Sequence, residues 1–277
     1  MYDKIEKLGN SVIQHGKYND RIYLMKIGPD DPQTLMKEME KLSGENGYTK
    51  IFAKVPAPLK KAFGAGGYKQ EAWIPGYFKG ETDVFFLSKF LSRERSQEQQ
   101  PEKIASVLQK ARTYTPVGDP PEIDPDFQFQ LADESYVDQV VEVFKAVFKT
   151  YPFPIHEPEY ILKTMRDNVA YFLIWEGEKL VAVSSSEMDK ENLNVEMTDF
   201  ATLPDYRGNK LALFLLCKME QEMQNRGFKT AYTIARAYSF GMNITFARMG
   251  YKYTGALVNN TNISGRIESM NIWYKPL

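Results

Sequence analysis

Apolar and polar positions alternate regularly in two stretches of the chain, separated by a segment with no pattern. Between about Ser92 and Asp126 the periodicity stops. Ser96 to Glu102 (SQEQQPE) is polar throughout. Pro101 to Leu108 reads as a short helix with proline in its first turn. Thr115 to Asp126 (TPVGDPPEIDPD) carries four prolines in twelve residues, which neither a helix interior nor a sheet tolerates. The pattern therefore divides the 277 residues into 1–95, a helical and proline-rich linker of 96–126, and 127–277. That length is long for a single core.

The second stretch opens with a strand, Phe127 to Leu131. A helix is expected from Glu134 to Lys149, where Val137, Val140, Val141, Phe144, Val147 and Phe148 share a face. A shorter helix is expected over 157–167. Strands over 170–175 and 179–186 flank a hairpin turn, Glu176-Gly177-Glu178, and a third strand covers 194–203. Leu211 to Asn225 is amphipathic and closed by Gly227. A strand over 229–236, a helix over 243–249 and strands over 251–258 and 268–274 complete an order of β-α-α-β-β-β-α-β-α-β-β. The first stretch echoes its end. Phe63, Gly67, Tyr68 and Lys69 have the same F-x-x-x-G-Y-K spacing as Phe246, Gly250, Tyr251 and Lys252. Both copies read as strand, short helix, G-Y, strand, strand, so the first part has the form of a cut-down version of the second.

Composition narrows the chemistry. Lys+Arg number 35 against 36 Asp+Glu, so no basic field draws in nucleic acid or an anionic membrane. The longest strongly apolar run, Leu211 to Cys217, is too short to span a bilayer. The opening residues Met1 to Glu6 hold no apolar signal core, and a cytoplasmic location is expected. One cysteine and two histidines, His15 and His156, disfavour disulfides and Cys/His metal cages. Chemistry is left to carboxylates, hydroxyls, backbone groups or a bound co-substrate.

One segment reads either as a phosphate cradle or as an ordinary solvated turn between a strand and a helix. Thr202 to Leu216 (TLPDYRGNKLALFLL) joins a strand to a helix through Arg207-Gly208-Asn209-Lys210. A helix N-terminus presents free N–H groups and a positive dipole end, which suit a pyrophosphate. Gly208 lets backbone approach a ligand, and Arg207 and Lys210 add charge.

This segment resembles the acetyl-CoA loop of the GNAT family of N-acetyltransferases, P-x-[YF]-R-G-x-G-x-[GA]. Pro204, Tyr206, Arg207, Gly208 and Ala212 match, while Lys210 stands at the second glycine. The element order of 127–277 matches as well, which implies an α/β (α+β) GNAT fold preceded by a smaller N-terminal α/β domain. Over the whole chain, His15 to Leu24, Tyr48 to Val55 (YTKIFAKV), Glu71 to Pro75 and Glu196 to Ala201 (EMTDFA) resemble the beta-lysine N-acetyltransferases. That resemblance implies acetyl transfer from acetyl-CoA, without a metal, to the distal amine of β-lysine. The product, Nε-acetyl-β-lysine, is a compatible solute. A polyamine, another diamino acid or a protein lysine stays open as acceptor, as does an acyl-CoA-binding module without turnover. A homodimer is compatible with the sequence.

The resemblance also implies roles. Phe200, Ala201 and Thr202 would meet the pantetheine arm, and Arg207, Gly208, Asn209, Lys210, Leu211 and Ala212 the phosphates. A lysine-like amine titrates near 10.4, so freeing it at pH 7 costs roughly 4–5 kcal/mol, and a carboxylate base is needed. Glu196 and Asp199 are the candidates. Three apart, they face opposite ways on a regular strand unless a bulge intervenes. Where the family often places a tyrosine acid, this chain has Phe246; Tyr238 is a substitute, and a water or the newly formed ammonium protonating the thiolate is the alternative. Asn19, Asp20 and His156 are candidates for holding the acceptor.

Overall fold

The computed structural model describes residues 2–117 and 121–277. Met1 and, from the proline-rich stretch, Gly118, Asp119 and Pro120 lie outside them. The first unit contains β1 (Lys4–Leu8), β2 (Ser11–Gly16), β3 (Arg21–Lys26), α1 (Pro32–Asn46), β4 (Lys50–Pro56), α2 (Lys60–Ala65), β5 (Lys69–Phe78) and β6 (Thr82–Phe90). Its sheet runs β1-β2-β3-β4-β6-β5, with only β3 and β4 parallel. After α3 (Pro101–Arg112), the second unit contains β7 (Phe127–Leu131), α4 (Val137–Val147), α5 (Pro158–Asp167), β8 (Val169–Glu176), β9 (Lys179–Asp189), β10 (Asn194–Thr202), α6 (Leu211–Asn225), β11 (Thr230–Arg236), α7 (Phe240–Arg248), β12 (Lys252–Ile263) and β13 (Arg266–Pro276). This is the expected order of elements. Its sheet runs β12-β13-β11-β10-β9-β8-β7, with only β10 and β11 parallel.

Two helices differ from expectation at their starts, for local reasons. Asp133 caps a separate 3₁₀ turn at Glu134–Tyr136, so α4 begins only at Val137. The Ser239 hydroxyl accepts from Met242 N at 3.3 Å, so α7 begins at Phe240 rather than Asn243. The segment read as a linker is docked. Ile104, Val107 and Ala111 of α3 are buried, and Ala111 joins the core of the second unit.

The two sheets repeat one topology. The run β3-α1-β4-α2-β5-β6 in the first corresponds to β10-α6-β11-α7-β12-β13 in the second, in sequence order and sheet order alike. The detail extends to side chains. Phe63 meets Tyr68 edge-on at 5.2 Å, and Phe246 meets Tyr251 edge-on at 5.0 Å. Lys89 pairs with Glu40 and donates to Gly66 O; Lys275 pairs with Glu220 and donates to Met249 O. Gly67 and Gly250, at φ +84° and +80°, make the left-handed turn out of each short helix.

Strand alternation assigns the two faces of the first sheet. Ile22, Leu24, Ile51, Ala53 and Val55 pack under α1 and α2. Tyr23, Phe52, Ile74, Val84 and Phe86 turn the other way and share a core with Tyr232, Leu257, Met270 and Ile272 of the second sheet. The edges β5 and β12 also touch. A Cβ on Gly255 would lie 2.1 Å from the Glu71 carbonyl oxygen, so only glycine fits there. Among the described residues no helix is long and apolar enough to cross a membrane.

Candidate active site

β10 and β11 pair in parallel only from Asn194 to Glu196 against Thr230 to Tyr232. Beyond Glu196 they part, which leaves the β11-facing backbone of β10 without a strand partner. β10 is also bulged against β9: Thr198 pairs with Ser185 but Ala201 with Val183. Asp199 sits at the bulge with φ +54°. The extra residue resets the alternation, so Glu196 and Asp199 line the same cavity.

That cavity, about 300 Å³, lies between the units. β9, β10 and β11 supply one wall, and Arg21, Tyr23, Phe52 and Lys54 of the first sheet supply the facing one. The segment from Phe148 to Ile155 and α5 close a side. Glu187, directly opposite Glu196 across the β9–β10 ladder, also lines it. Three carboxylates thus share the cavity with Lys54. Glu187 keeps accessible surface because it faces the lumen, although protein surrounds it.

The environment spreads their acidities. Burial, reinforced by the neighbouring Glu187 charge, pushes the Glu196 carboxyl up to about 8, against the opposing pull of Lys54 and a hydrogen bond from Tyr232. Burial also raises Glu187 and Asp199. Asp199 is partly compensated: Ser185 and Tyr151 donate to its two oxygens, and Thr198 lies at 3.4 Å. Burial alone would lower Lys54, but the Tyr23 and Tyr77 hydroxyls and Glu196 hold its ammonium above the usual range. Its Nζ lies 3.5 Å from Tyr77 Oη and 5.6 Å from the Tyr23 ring centre.

Past the splay, Phe200 lines the cavity and meets Phe246 edge-on at 5.6 Å, Ala201 is buried and Thr202 ends the strand. Arg207, Gly208, Asn209 and Lys210 form an exposed turn, followed by buried Leu211 and half-buried Ala212. Gly208 has φ +96° with open space where a Cβ would stand. Lys210 occupies the left-handed N-cap position of α6 at φ +61°, and no side chain caps that helix. The first-turn N–H groups therefore have no side-chain acceptor. A phosphate-binding turn fits this geometry.

Other sequence candidates lie outside the cavity lining. Tyr238 donates its hydroxyl to Glu98, which Ser269 also donates to. Asn19, fully buried, donates to Asp3 and accepts from Asn262 N at 2.7 Å. Asp20 accepts from Thr49 and lies 3.5 Å from Arg95 Nη1. Asn19 thus braces the contact between units, and Asp20 holds Thr49 and Arg95 within the first. His156 is half-buried, and its Nε2 has no partner among the described residues. The lining instead includes residues that the sequence reading passed over: Arg21, Tyr23, Lys54, Tyr151, Glu187 and Tyr232. One signal was available. Lys50 and Lys54 alternate with Phe52 on a strand whose opposite face is wholly apolar.

Residues 137–251 match the Acetyltransferase (GNAT) family model. The chain is 44% identical over 273 residues to a protein of Methanococcus maripaludis named beta-lysine N(6)-acetyltransferase, covering 99% of this chain and 98% of that one. It is 32% identical over 278 residues to N-acetyltransferase YodP of Bacillus subtilis, covering 96% of each. A beta-lysine N(6)-acetyltransferase of Methanosarcina mazei is 31% identical over 259 residues, covering 86% of this chain and 95% of that one.

Proposed function

Because this chain belongs to the GNAT family of N-acetyltransferases, we propose that it moves the acetyl group of acetyl-CoA onto the distal amine of β-lysine. The observation that carries the acceptor assignment is the carboxylate-rich cavity at the splay. Glu187, Glu196 and Asp199 cluster on β9 and β10 beside Lys54, while the other lining cations are Arg21 and Arg236, the latter paired with Glu268; the carboxylate cluster suits an ammonium group. Enclosure between two units in about 300 Å³ favours a small acceptor over a protein lysine. The full-length similarity to two proteins named for β-lysine supports the same choice.

The residues divide the work. The turn Arg207–Lys210 and the start of α6 hold the phosphates, and the unpaired edge of β10 pairs with the pantetheine amides in strand fashion. Glu196, ionised, takes a proton from the substrate ammonium. The free amine attacks the thioester carbonyl carbon, and the tetrahedral intermediate then breaks its C–S bond. The thiolate leaves with the second proton of the new ammonium, passed directly or through water. A thiol near 8.5 on the cysteine scale accepts that proton without a tyrosine acid, consistent with Phe246. Asp199, held by Ser185 and Tyr151, fixes the bulge and adds negative charge. Acetylation removes one of the acceptor's two positive charges, leaving a zwitterion of zero net charge, as a compatible solute requires.

Thiol release from acetyl-CoA, measured over β-lysine, lysine, 1,5-diaminopentane, spermidine and a lysine peptide, tests the reading. The highest kcat/KM is expected with β-lysine, with the acetyl group on N6. Preference for spermidine or the peptide would overturn it.

A further inference from the structure

Three cations of the first unit are buried where the units meet: Arg21 at 4% exposure, Lys50 at 0% and Arg95 at 7%. Two have acids. Lys50 Nζ lies 2.7 Å from Glu71, and Arg95 Nη1 lies 3.5 Å from Asp20. Arg21 pairs with no carboxylate among the described residues. Its Nη1 donates to the Asn260 carbonyl and, at 3.3 Å, to Thr261 Oγ1. Its Nε is buried without an acceptor. Burial pulls the guanidinium down only to about 10, so it stays charged at neutral pH. An uncompensated buried charge is strongly unfavourable, and this one lines the cavity. Asn260, 1% exposed, lines it too; its Oδ1 is an acceptor without a partner among the described residues, so it is the amide NH2 that has the polarity to meet a carboxylate.

The cavity is polarised along its length. The Tyr23 ring centre lies 5.4 Å from Arg21 Cζ and 5.6 Å from Lys54 Nζ, and Lys54 lines the cavity with Glu196. From Arg21 past Tyr23 to Lys54, the Arg21 end has a cation without a contacting acid, and the Lys54 end has Glu187, Glu196 and Asp199; Arg236, also in the lining, is taken up by Glu268. A diamino acid has the matching polarity: a carboxylate at one end and the reacting ammonium at the other. A guanidinium presents paired donors in the geometry a carboxylate accepts.

We infer that Arg21, with Asn260 and Thr261 beside it, binds the carboxylate of the acceptor, so that the first unit selects a diamino acid over a bare diamine. The inference rests on the acceptor reading above and assigns one of its contacts. It is tested by comparing β-lysine with 1,4-diaminopentane, its counterpart without the carboxylate, in the wild type, Arg21→Met, Arg21→Lys and Asn260→Ala. Arg21→Met should lower kcat/KM for β-lysine by about 10²-fold, mostly through KM. The diamine should change by less than about threefold and the KM for acetyl-CoA should hold. Arg21→Lys, which keeps the charge and loses the fork, should fall between and serves if Arg21→Met does not fold. Asn260→Ala should cost β-lysine alone a smaller factor. Equal losses on both amines would mark Arg21 as a structural brace and overturn the inference, as would a wild type that takes the bare diamine as well as β-lysine. A wild type that ignores β-lysine but acetylates another diamino acid would overturn the named acceptor only. The Arg21 contrast, run on that amino acid and its decarboxylated amine, would then decide.

Discussion

Glu196 faces Glu187 across an antiparallel ladder, a like-charged pairing that sheets usually avoid. The base proposed here carries a cost in stability that pH can reveal. A glutamate in the unfolded chain titrates near 4.3, whereas burial and Glu187 hold the folded carboxyl near about 8. Between those values the folded state binds the proton more tightly than the unfolded state. Stability therefore declines as pH rises through this window, by up to about 1.4 kcal/mol per unit from this group. Glu196→Gln removes the dependence. Its thermal midpoint should match the wild type near pH 4.5 and exceed it increasingly toward pH 8.5, in melts run across that range. Its turnover should move the other way, falling about 10²-fold at pH 7 and partly recovering where the amine deprotonates unaided. Wild-type kcat/KM should climb toward pH 8 as Glu196 ionises. Full activity of Glu196→Gln at pH 7 would pass the role of base to Asp199. The sequence made both acids visible, because they precede a recognisable loop. Their convergence on one cavity was not legible, since the bulge at Asp199 depends on packing against β9 and Tyr151. Arg21 and Lys54 were hidden for a related reason: they reach the site from strands far away in sequence.

At the scale of elements, pattern and turn chemistry located the second unit's strands and helices; errors fell at strand ends, where β9 and β12 run on to Asp189 and Ile263 past the expected 186 and 258, and at helix starts that single caps decide. Asp133 and Ser239 are such caps. The turn between β10 and α6, the proposed phosphate site, was the most legible candidate because its chemistry is local: glycine, two cations and a helix start. The same position in the first unit has the opposite character. There Asp31 caps α1 by accepting from Thr34 N, and Pro32 fills the first helical position. Its N–H groups are partly satisfied and the local charge is negative, so a pyrophosphate is repelled. In the second unit Lys210 takes a left-handed conformation where glycine would be unstrained, at a cost of roughly 1 kcal/mol. Gly208 is the sharper test. Its φ of +96° disfavours a β-branched residue, yet nothing occupies the space around it. Gly208→Val should raise the KM for acetyl-CoA about tenfold or more while the far-ultraviolet spectrum stays unchanged and the KM for the amine moves little. Unchanged acetyl-CoA kinetics would place the phosphates elsewhere.

The whole molecule reads as one topology used twice, with the cavity between the copies. In the paired registers Tyr23 opposite Phe52 corresponds to Glu196 opposite Tyr232, so equivalent positions of the two sheets look into the same space. The F-x-x-x-G-Y-K repeat was visible in the sequence, but the docking was not, because it depends on partners such as Asn19 with Asn262 and Glu71 with Val258. The shared apolar core between the sheets also means that 127–277 alone would expose Tyr232, Leu257, Met270 and Ile272, so the contact must be tested within the full chain. Gly255 provides the means. In Gly255→Ala the new methyl meets Glu71 O at 2.1 Å and Ala72 Cα at 2.8 Å, both of them backbone atoms that cannot rotate aside. β5 and β12 must separate, which should cost about 1–3 kcal/mol and lower the thermal midpoint by several degrees. The first sheet carries the Arg21 and Lys54 wall, so its displacement should raise the KM for the acceptor. The KM for acetyl-CoA should change little, because the proposed phosphate turn belongs wholly to the second unit. Gly64→Ala, in a helix of the first unit with open space around it, is the control and should leave both constants and the midpoint near wild type. If Gly255→Ala matched that control in stability and acceptor KM, the two edges would not be held together in solution, and the first unit would have no part in shaping the acceptor site.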